Sequence, residues 1–203
     1  MSNKAIAHLG GDPVFRGIIE TTKLRRHTTD GDIYAALLRN IIFQQLSGKA
    51  ATTIYLRFLR LFKDQYPLPR KVVRLKQEQL AAVGLSRQKS NYIQNVAMYW
   101  MDNQLQTICW KRMTDDDVIE QLVQIKGVGT WTVQMILMST LKRPDIFPIN
   151  DLGIRKAMIK RYRLRSKGKL LDQRLLKIAD SWRPHRTLAC RYLWRWLDEQ
   201  PKK

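Results

Sequence analysis

The sequence predicts an all-α protein, and three observations support this fold class. Apolar residues recur at i, i+3 and i+4 along much of the chain, which places them on one face of a helix. No segment alternates apolar and polar residues convincingly, as a half-buried strand does. Proline, glycine and capping residues stand between the periodic segments, where helices begin or end. The clearest helical segments are residues 33–41, 51–62, 92–100, 118–123 and 188–196.

We expect about nine or ten short helices, arranged as two lobes of a single domain. Residues 33 to about 142 are expected to form a helical bundle, and residues 1–32 with 151–203 a second helical lobe. Thr114 and Asp117 have the spacing of a capping box that starts a helix within the bundle. Prolines after residue 142 indicate a loop between the bundle and the second lobe.

The chain is strongly basic for a folded protein. Its 203 residues include 37 Lys and Arg against 17 Asp and Glu, for a formal net charge of +20, and 44% are hydrophobic. The hydrophobic content excludes a disordered basic tail, and the charge indicates a polyanionic partner, for which nucleic acid is the default. A ribosomal or architectural protein would share this charge. The basic run from Lys160 to Lys169 is interpreted as solvated surface that adds long-range attraction.

Cysteine content and apolar runs restrict the class of protein further. Cys109 and Cys190 are the only cysteines and lie far apart in the sequence. This favours a reducing compartment and gives no support for a zinc site or a disulfide framework. The sequence has neither a signal-peptide pattern nor an apolar run of about eighteen residues. We therefore expect neither secretion nor membrane insertion.

A glycine-rich turn joins two helical segments in residues 122–133. Gly127 and Gly129 can end the first helix and turn the chain into the second, because glycine adopts the left-handed backbone conformation of a helix C-cap. The second helix then begins with unpaired N–H groups and the positive end of a helix dipole, which suits a phosphate. A generic αα-hairpin explains the glycines almost as well when they are taken alone.

A single carboxylate follows in the segment Phe147-Pro148-Ile149-Asn150-Asp151-Leu152-Gly153. Asp151 lies 22 residues after Gly129 (151 − 129 = 22) and directly before a helical segment. Taken alone, Asp151 is best explained as a helix N-cap, which accepts hydrogen bonds from N–H groups of the first turn. Those N–H groups also hold the carboxylate ionised, so that it can stabilise a positive charge beside it.

In order and spacing, these motifs resemble the helix-hairpin-helix, Gly/Pro-rich, Asp (HhH-GPD) superfamily of DNA glycosylases, and in particular its 3-methyladenine DNA glycosylase II branch. The resemblance implies two helical lobes that face each other across a cleft, with an essential aspartate at the edge. Two-domain members of the branch carry a further N-terminal β-rich domain, which the 32 residues before Ile33 are expected to be too short to hold. The motifs that carry the resemblance are residues 42–47, 84–89, 122–133, 147–151 and 182–186.

The resemblance implies that Asp151 is the catalytic residue, which stabilises an oxocarbenium-like sugar and orients the attacking water. The family often has a second Asp just before it, whereas this chain has Asn150. Bifunctional relatives place a nucleophilic lysine two residues after the second hairpin glycine, where it forms a Schiff base with the sugar. This chain has Trp131 there. A monofunctional glycosylase, without strand cleavage, is therefore expected.

The resemblance also implies a pocket for a flipped base and a wedge that fills the gap left in the duplex. Cationic alkylated purines stack on electron-rich rings, although packing in the core explains any one aromatic residue equally well. The candidate pocket residues are Trp131, Trp194, Phe43 and Tyr34. Gln45 is the candidate wedge, and its alternative is a solvated polar side chain near a helix end.

Contacts to the DNA backbone are expected at two places. The candidates are Gly127, Gly129 and Thr130 in the hairpin, and Ser86 and Lys89 in a second turn. By resemblance, the backbone carbonyls of Val123, Ile125 and Val128 would hold a monovalent cation, Na⁺ or K⁺, that bridges to a phosphate. Other relatives carry a four-cysteine iron–sulfur cluster, which two cysteines cannot form, so no cluster and no required cofactor are expected.

The leading hypothesis is a monofunctional alkylpurine DNA glycosylase that acts as a monomer on double-stranded DNA with damaged bases. We expect it in the cytoplasm, associated with the nucleoid if the source is prokaryotic. One alternative is a glycosylase of the same fold that removes deaminated or oxidised bases. Another is a non-catalytic helix-hairpin-helix DNA-binding module, against which the carboxylate of Asp151 argues, since such a module needs none.

Overall fold

A computed structural model describes residues 3–24, 31–46 and 48–201 of the chain. Within these ranges it has twelve α-helices, two 3₁₀ turns and no strand, which confirms the all-α prediction. Ser47, which ends one of the motifs, lies outside the described residues. The helices are α1 (Asn3–Leu9), α2 (Pro13–Thr21), α3 (Ile33–Phe43), α4 (Gly48–Leu59), α5 (Pro69–Val73), α6 (Gln77–Ala82), α7 (Arg87–Asp102), α8 (Asp115–Val123), α9 (Thr130–Ser139), α10 (Leu152–Arg161), α11 (Gly168–Asp180) and α12 (Arg186–Asp198).

The described helices outnumber the nine or ten that were expected, because several are too short to show a periodic pattern. Helices α5 and α6 have 5 and 6 residues, less than two turns of an α-helix. The predicted capping box at the start of α8 is confirmed. The Thr114 hydroxyl accepts from the N–H of Asp117 at 3.1 Å, and the Asp117 carboxylate accepts from the N–H of Thr114 at 3.2 Å.

The chain folds as two compact units. The bundle unit comprises residues 29–141, and the second unit comprises residues 1–28 with 142–203. In the bundle unit, α3 packs against α4, α7 and α9. Its side chains are buried on several sides, including Tyr34, Leu37, Leu38, Ile41 and Ile42. Helix α3 is therefore the centre of this unit, and the loop after it begins beside the half-buried Phe43.

An aromatic cluster forms the core of the second unit. The fully buried ring of Trp182 is surrounded by Phe15, Phe147 and Tyr162, with ring centroids 5.2, 6.0 and 6.5 Å away. Helix α12 packs against both α10 and α2. Because Phe147 belongs to the loop that leads to Asp151, this core also supports that loop. No helix in the described part of the chain is both long and apolar enough to cross a membrane.

Candidate active site

Asp151 lies at the start of α10 and caps it, as its position before a helical segment predicts. Its Oδ1 atom accepts a hydrogen bond from the N–H of Ile154 at 2.8 Å, which satisfies one of the unpaired donors of the first turn. The side chain is 8% exposed. The carboxylate is therefore held at the positive end of the α10 dipole.

Trp194 of α12 provides a second donor to the same carboxylate. Its indole N–H donates to Oδ1 of Asp151 at 2.8 Å. Gly153 leaves room for this contact, because a Cβ atom there would lie 3.1 Å from Cδ1 of Trp194 and 3.2 Å from Oδ1 of Asp151. Sequence reasoning selected Trp194 only as an aromatic ring of the pocket and did not select Gly153, although the glycine lies in the motif around Asp151.

The loop before Asp151 is fastened to the start of α12 by Thr187. The hydroxyl of Thr187 donates to the carbonyl of Arg143 at 2.7 Å and accepts from the N–H of Ile146 at 3.0 Å. Its own N–H donates to the carbonyl of Pro144 at 3.0 Å. These bonds attach the loop to α12, the helix that carries Trp194. They therefore help to hold Trp194 next to Asp151, which follows the loop.

Asp145 and two arginines complete this attachment. Nε of Arg186 donates to Oδ1 of Asp145 at 2.7 Å, and Nη1 of Arg183 donates to Oδ2 at 2.7 Å. Burial raises the pKa of Asp145, but the hydrogen bonds and charge of Arg186, with a smaller effect of Arg183, outweigh it. The pKa of this carboxyl is therefore below its ordinary value. Arg183 and Arg186 belong to one of the motifs that carry the resemblance to the family, residues 182–186. That motif did not indicate that Asp145 is their partner.

Cys190 lies one turn before Trp194 on α12 and is fully buried. Burial raises the pKa of its thiol well above the ordinary value, and the negative charge of Asp151 raises it further. The thiol is therefore uncharged, and it adds no second negative charge near Asp151. Within the described residues, no group of three or more His, Cys, Asp or Glu side chains is placed to hold a metal ion.

The hairpin has the predicted turn between α8 and α9. Gly127 has φ +102° and lies against Tyr92 of α7, where an added Cβ atom would be 2.3 Å from the ring. This position requires glycine for both backbone and packing reasons. Gly129 is the N-cap of α9 with φ −101°, and nothing lies within 4 Å of an added Cβ atom. Gly129 and Thr130 are exposed, so backbone at the start of α9 is accessible.

The candidate aromatic residues of the bundle unit lie in different environments. Trp131, on α9, is 38% exposed, which suits a residue that meets a ligand. Phe43 is half-buried, with the Arg39 guanidinium 4.1 Å above its ring. Tyr34 is 2% exposed and packs against Trp100 at 5.3 Å between centroids. In this structure Tyr34 is a core residue, and its role in a base pocket stays a prediction.

Gln45 and Lys89 belong to one local arrangement at the end of α3. Gln45 is exposed and has φ 57°, a left-handed conformation that is uncommon for residues other than glycine. The Lys89 ammonium donates to the carbonyls of Ile42 at 2.8 Å and Gln44 at 2.7 Å, and burial lowers its pKa. Lys89 thus supports the loop that presents Gln45, and its predicted phosphate contact stays a prediction.

Ser86 and the candidate cation ligands have structural roles as well. The Ser86 hydroxyl caps α7 by accepting from the N–H of Lys89 at 3.3 Å. In the hairpin, the carbonyl of Ile125 accepts from the N–H of Val128 at 2.9 Å. The Val123 side chain is half-buried, and those of Ile125 and Val128 are buried. Backbone carbonyls are hard oxygen donors, so this set fits a monovalent cation chemically.

The chain is similar in sequence to known DNA glycosylases. The protein is 32% identical over 198 residues to DNA-3-methyladenine glycosylase 1 of Schizosaccharomyces pombe, covering 95% of this chain and 86% of that protein. It is 30% identical over 175 residues to the putative DNA-3-methyladenine glycosylase YfjP of Bacillus subtilis, covering 83% of this chain. The match spans only 60% of the length of the Bacillus protein.

A solved structure and a family model agree with these matches. The S. pombe 3-methyladenine DNA glycosylase, solved in complex with abasic DNA, superposes with a TM-score of 0.82 at 30% identity, covering 95% of each chain. Residues 38–184 match the family model described as HhH-GPD superfamily base excision DNA repair protein. This range includes the hairpin, Asp151 and the loop fastened to α12. The chain therefore belongs to the HhH-GPD superfamily of base excision DNA repair proteins.

Proposed function

We propose that the protein is a monofunctional DNA glycosylase that excises alkylated purines of the 3-methyladenine and 7-methylguanine type. The observation that carries this proposal is the carboxylate of Asp151, which accepts hydrogen bonds from Ile154 and Trp194 at the start of α10. Capping of α10 accounts for the bond from Ile154 in a DNA-binding module as well, but it does not account for the second bond, from the Trp194 indole. Relatives of this chain are named 3-methyladenine DNA glycosylases, and these names support the choice of alkylated purines.

The proposed reaction breaks the N-glycosidic bond of the flipped nucleotide. The electron pair of this bond leaves with the base, and a cationic alkylated purine departs as a neutral molecule, so that little acid catalysis is needed. Positive charge develops on the deoxyribose, and the Asp151 carboxylate stabilises it. A water molecule then adds to C1′ and loses a proton, which Asp151 can accept. The products are a free base and an abasic site in an intact strand.

The bundle unit is proposed to bind the DNA. Accessible N–H groups at the start of α9, around Gly129 and Thr130, would meet phosphate oxygens. A monovalent cation on the carbonyls of Val123, Ile125 and Val128 would add a positive charge beside that phosphate. Gln45, exposed on a supported loop, would fill the gap left by the flipped nucleotide. Trp131 is a candidate surface for the base.

The substrate is tested by base release from defined duplexes. We expect release of 3-methyladenine or 7-methylguanine, and little release of uracil or 8-oxoguanine, from otherwise identical duplexes. Preferential release of a deaminated or oxidised base would favour the alternative glycosylase, and release of none would favour a binding module. The protein is proposed to act as a monomer at the chromosome, in the cytoplasm if its source is a prokaryote.

The same reaction mixtures test the monofunctional mechanism. The strand should stay intact until it is treated with alkali or heat. Borohydride should trap no covalent adduct, because only an imine between an amine and the sugar is reduced to a stable link. An adduct formed by the wild-type protein and lost in Lys126→Ala would show a lyase that uses the hairpin lysine, since Lys126 directly precedes Gly127.

A further inference from the structure

Helix α10 exposes a leucine directly after Asp151. Leu152 is 71% exposed, the highest fraction among the large hydrophobic side chains of the described residues. One exposed leucine is ordinary on a protein surface. The position of this one is informative, because Asp151 caps the helix and consecutive Cα atoms lie about 3.8 Å apart. A ligand that reaches the carboxylate of Asp151 therefore also comes close to Leu152.

The helix period places Leu152 and Lys156 together on the exposed side of α10. The buried residues of this helix are Ile154, Ala157 and Met158. Leu152 and Lys156 are both exposed, and residues four apart on a helix are neighbours, with Cβ atoms about 5–6 Å apart. The Cα–Cβ bonds of a helix tilt toward its N-terminus. The two side chains therefore form one surface that begins beside Asp151, the Leu152–Lys156 face.

No acidic side chain neutralises the cation of this face. Residues 152–171 contain neither Asp nor Glu. Asp172, the next acidic residue in the chain, is engaged by the neighbour of Lys156, since Nη1 of Arg155 donates to its Oδ1 atom at 2.6 Å. Among the described residues, Lys156 forms no ion pair. The face therefore offers an apolar surface and an uncompensated positive charge, one helical turn apart.

An apolar group beside a cation matches the repeating unit of a DNA strand. Each unit has a deoxyribose, whose carbon atoms are apolar, and a phosphate with one negative charge. Leucine has no hydrogen-bonding group, so Leu152 can cover the carbons of a sugar but cannot bind a phosphate or the polar edge of a base. The ammonium of Lys156 binds a phosphate as a point charge. Together the two side chains can contact a sugar and the phosphate joined to it.

We propose that the Leu152–Lys156 face binds the sugar–phosphate backbone at the flipped nucleotide, with Leu152 on a deoxyribose and Lys156 on the adjoining phosphate. The inference rests on the proposed function in one respect, because that function brings the sugar of the damaged nucleotide to Asp151. It adds a DNA contact from the second unit to those proposed for the bundle unit. Such contacts fix the position of the strand, and neither side chain takes part in breaking the bond.

Binding to a duplex that contains a stable abasic-site analogue tests the proposal without any reaction. The test variants are Leu152→Ala and Lys156→Gln, and Leu152→Met keeps the apolar surface. The controls are Leu170→Ala and Arg174→Gln on α11, where an exposed leucine and an exposed cation again lie four residues apart in the same unit. Affinity is measured at several salt concentrations, and Tm is measured for each variant.

We expect Leu152→Ala and Lys156→Gln each to weaken binding of this duplex at least about fivefold, and both controls to stay within about twofold of wild type. Lys156→Gln should lower the log–log salt slope by about 0.9, as the loss of one phosphate contact does, whereas Leu152→Ala should leave the slope unchanged. Leu152→Met should bind like the wild type, because its side chain has a similar apolar volume. Since these positions are exposed, Tm should stay within about 2 °C of wild type.

Several results would overturn this contact. Affinities of Leu152→Ala and Lys156→Gln equal to those of the controls would do so. Equal weakening by Lys156→Gln and Arg174→Gln would show that only the net charge of the protein matters. Binding by Leu152→Met as weak as that by Leu152→Ala would reject the apolar contact. A fall in Tm that accompanies the loss of affinity would assign the two residues to the stability of α10 instead.

Base release by the wild-type protein separates failure of this contact from failure of the proposed function. If the wild type releases alkylated bases and neither test variant binds DNA more weakly than its control, the contact alone is rejected. If both variants bind the abasic duplex more weakly as expected but the wild type releases no base, the contact stands and the proposed function alone is rejected.

Discussion

The indole N–H of Trp194 and the backbone N–H of Ile154 donate to the same oxygen of Asp151, each at 2.8 Å. The carboxylate is therefore oriented by two elements at once, α12 and the first turn of α10. Preorganised groups of this kind stabilise developing charge without rearranging during the reaction. Trp194 is thus proposed as a residue that positions Asp151, in addition to any contact of its ring with the base.

Replacing Trp194 by Phe should keep the ring and remove the N–H donor. A hydrogen bond to a charged group is worth about 1.5–3 kcal/mol, so single-turnover base release should fall about tenfold to a hundredfold. Trp196→Phe is the matched control on the same helix, since Trp196 packs against Lys160 and Arg161 at the end of α10 that is far from Asp151. The control should release base at the wild-type rate. Equal rates for both variants would show that the bond to Asp151 has no part in catalysis.

Gly127 and Gly129 should respond differently to alanine. At Gly127 the left-handed backbone and the contact with Tyr92 should together cost about 2–4 kcal/mol, and Tm should fall by about 5–15 °C. At Gly129 the added methyl has open space and an ordinary φ, so only the poorer capping of α9 by alanine counts, and Tm should fall by no more than about 4 °C. If backbone at Gly129 approaches a phosphate, Gly129→Val should weaken binding to damaged and undamaged duplexes equally. A change in lesion preference alone would mean that the hairpin belongs to the base pocket.

Gln45→Gly separates a wedge from a structural residue. Glycine accepts the φ of 57° observed there, so the free energy of unfolding should change by less than about 1 kcal/mol. Base release from duplex DNA should nevertheless slow, because no side chain fills the gap, while release from single strands should not. Comparable slowing on both substrates would assign Gln45 to the pocket.

Asp145 predicts a specific dependence of stability on pH. Its pKa is below the ordinary value in the folded protein, chiefly because the hydrogen bonds and charge of Arg186 outweigh the effect of burial. Its stabilisation is therefore present above the unfolded pKa of about 3.9 and is lost as the pH falls through the folded value. Because the pair is partly exposed, Asp145→Asn should cost about 1–2 kcal/mol in urea unfolding at pH 7. The difference from wild type should shrink below about pH 4, and a constant difference would contradict the account.

The sequence predicted those features of the protein that depend only on residues close together in the chain. The helix period, the glycines of the hairpin and an aspartate before a helix are each readable within a few residues, and the capping box at Thr114 is confirmed. The bond between Trp194 and Asp151 joins residues 43 positions apart. The bond between Arg186 and Asp145 joins residues 41 apart. Such pairs depend on the packing of α12, which no spacing in the sequence encodes.

The environment of single residues was hard to predict for the same reason. Tyr34 lies on a helix that is buried on several sides, so its helical position did not distinguish a pocket from the core. Lys89 was predicted to contact the DNA backbone, yet its ammonium donates to carbonyls 45 and 47 residues away at the end of α3.

The central claim is that Asp151 provides the charge that stabilises the sugar cation, and Asp151→Asn tests it most directly. Asparagine is also a good N-cap, so α10, Tm and DNA affinity should be retained. Single-turnover release of 7-methylguanine or 3-methyladenine should fall by about a hundredfold or more, as expected when one preorganised charge-stabilising group is removed. Release at the wild-type rate by a folded, DNA-binding Asp151→Asn protein would contradict the account.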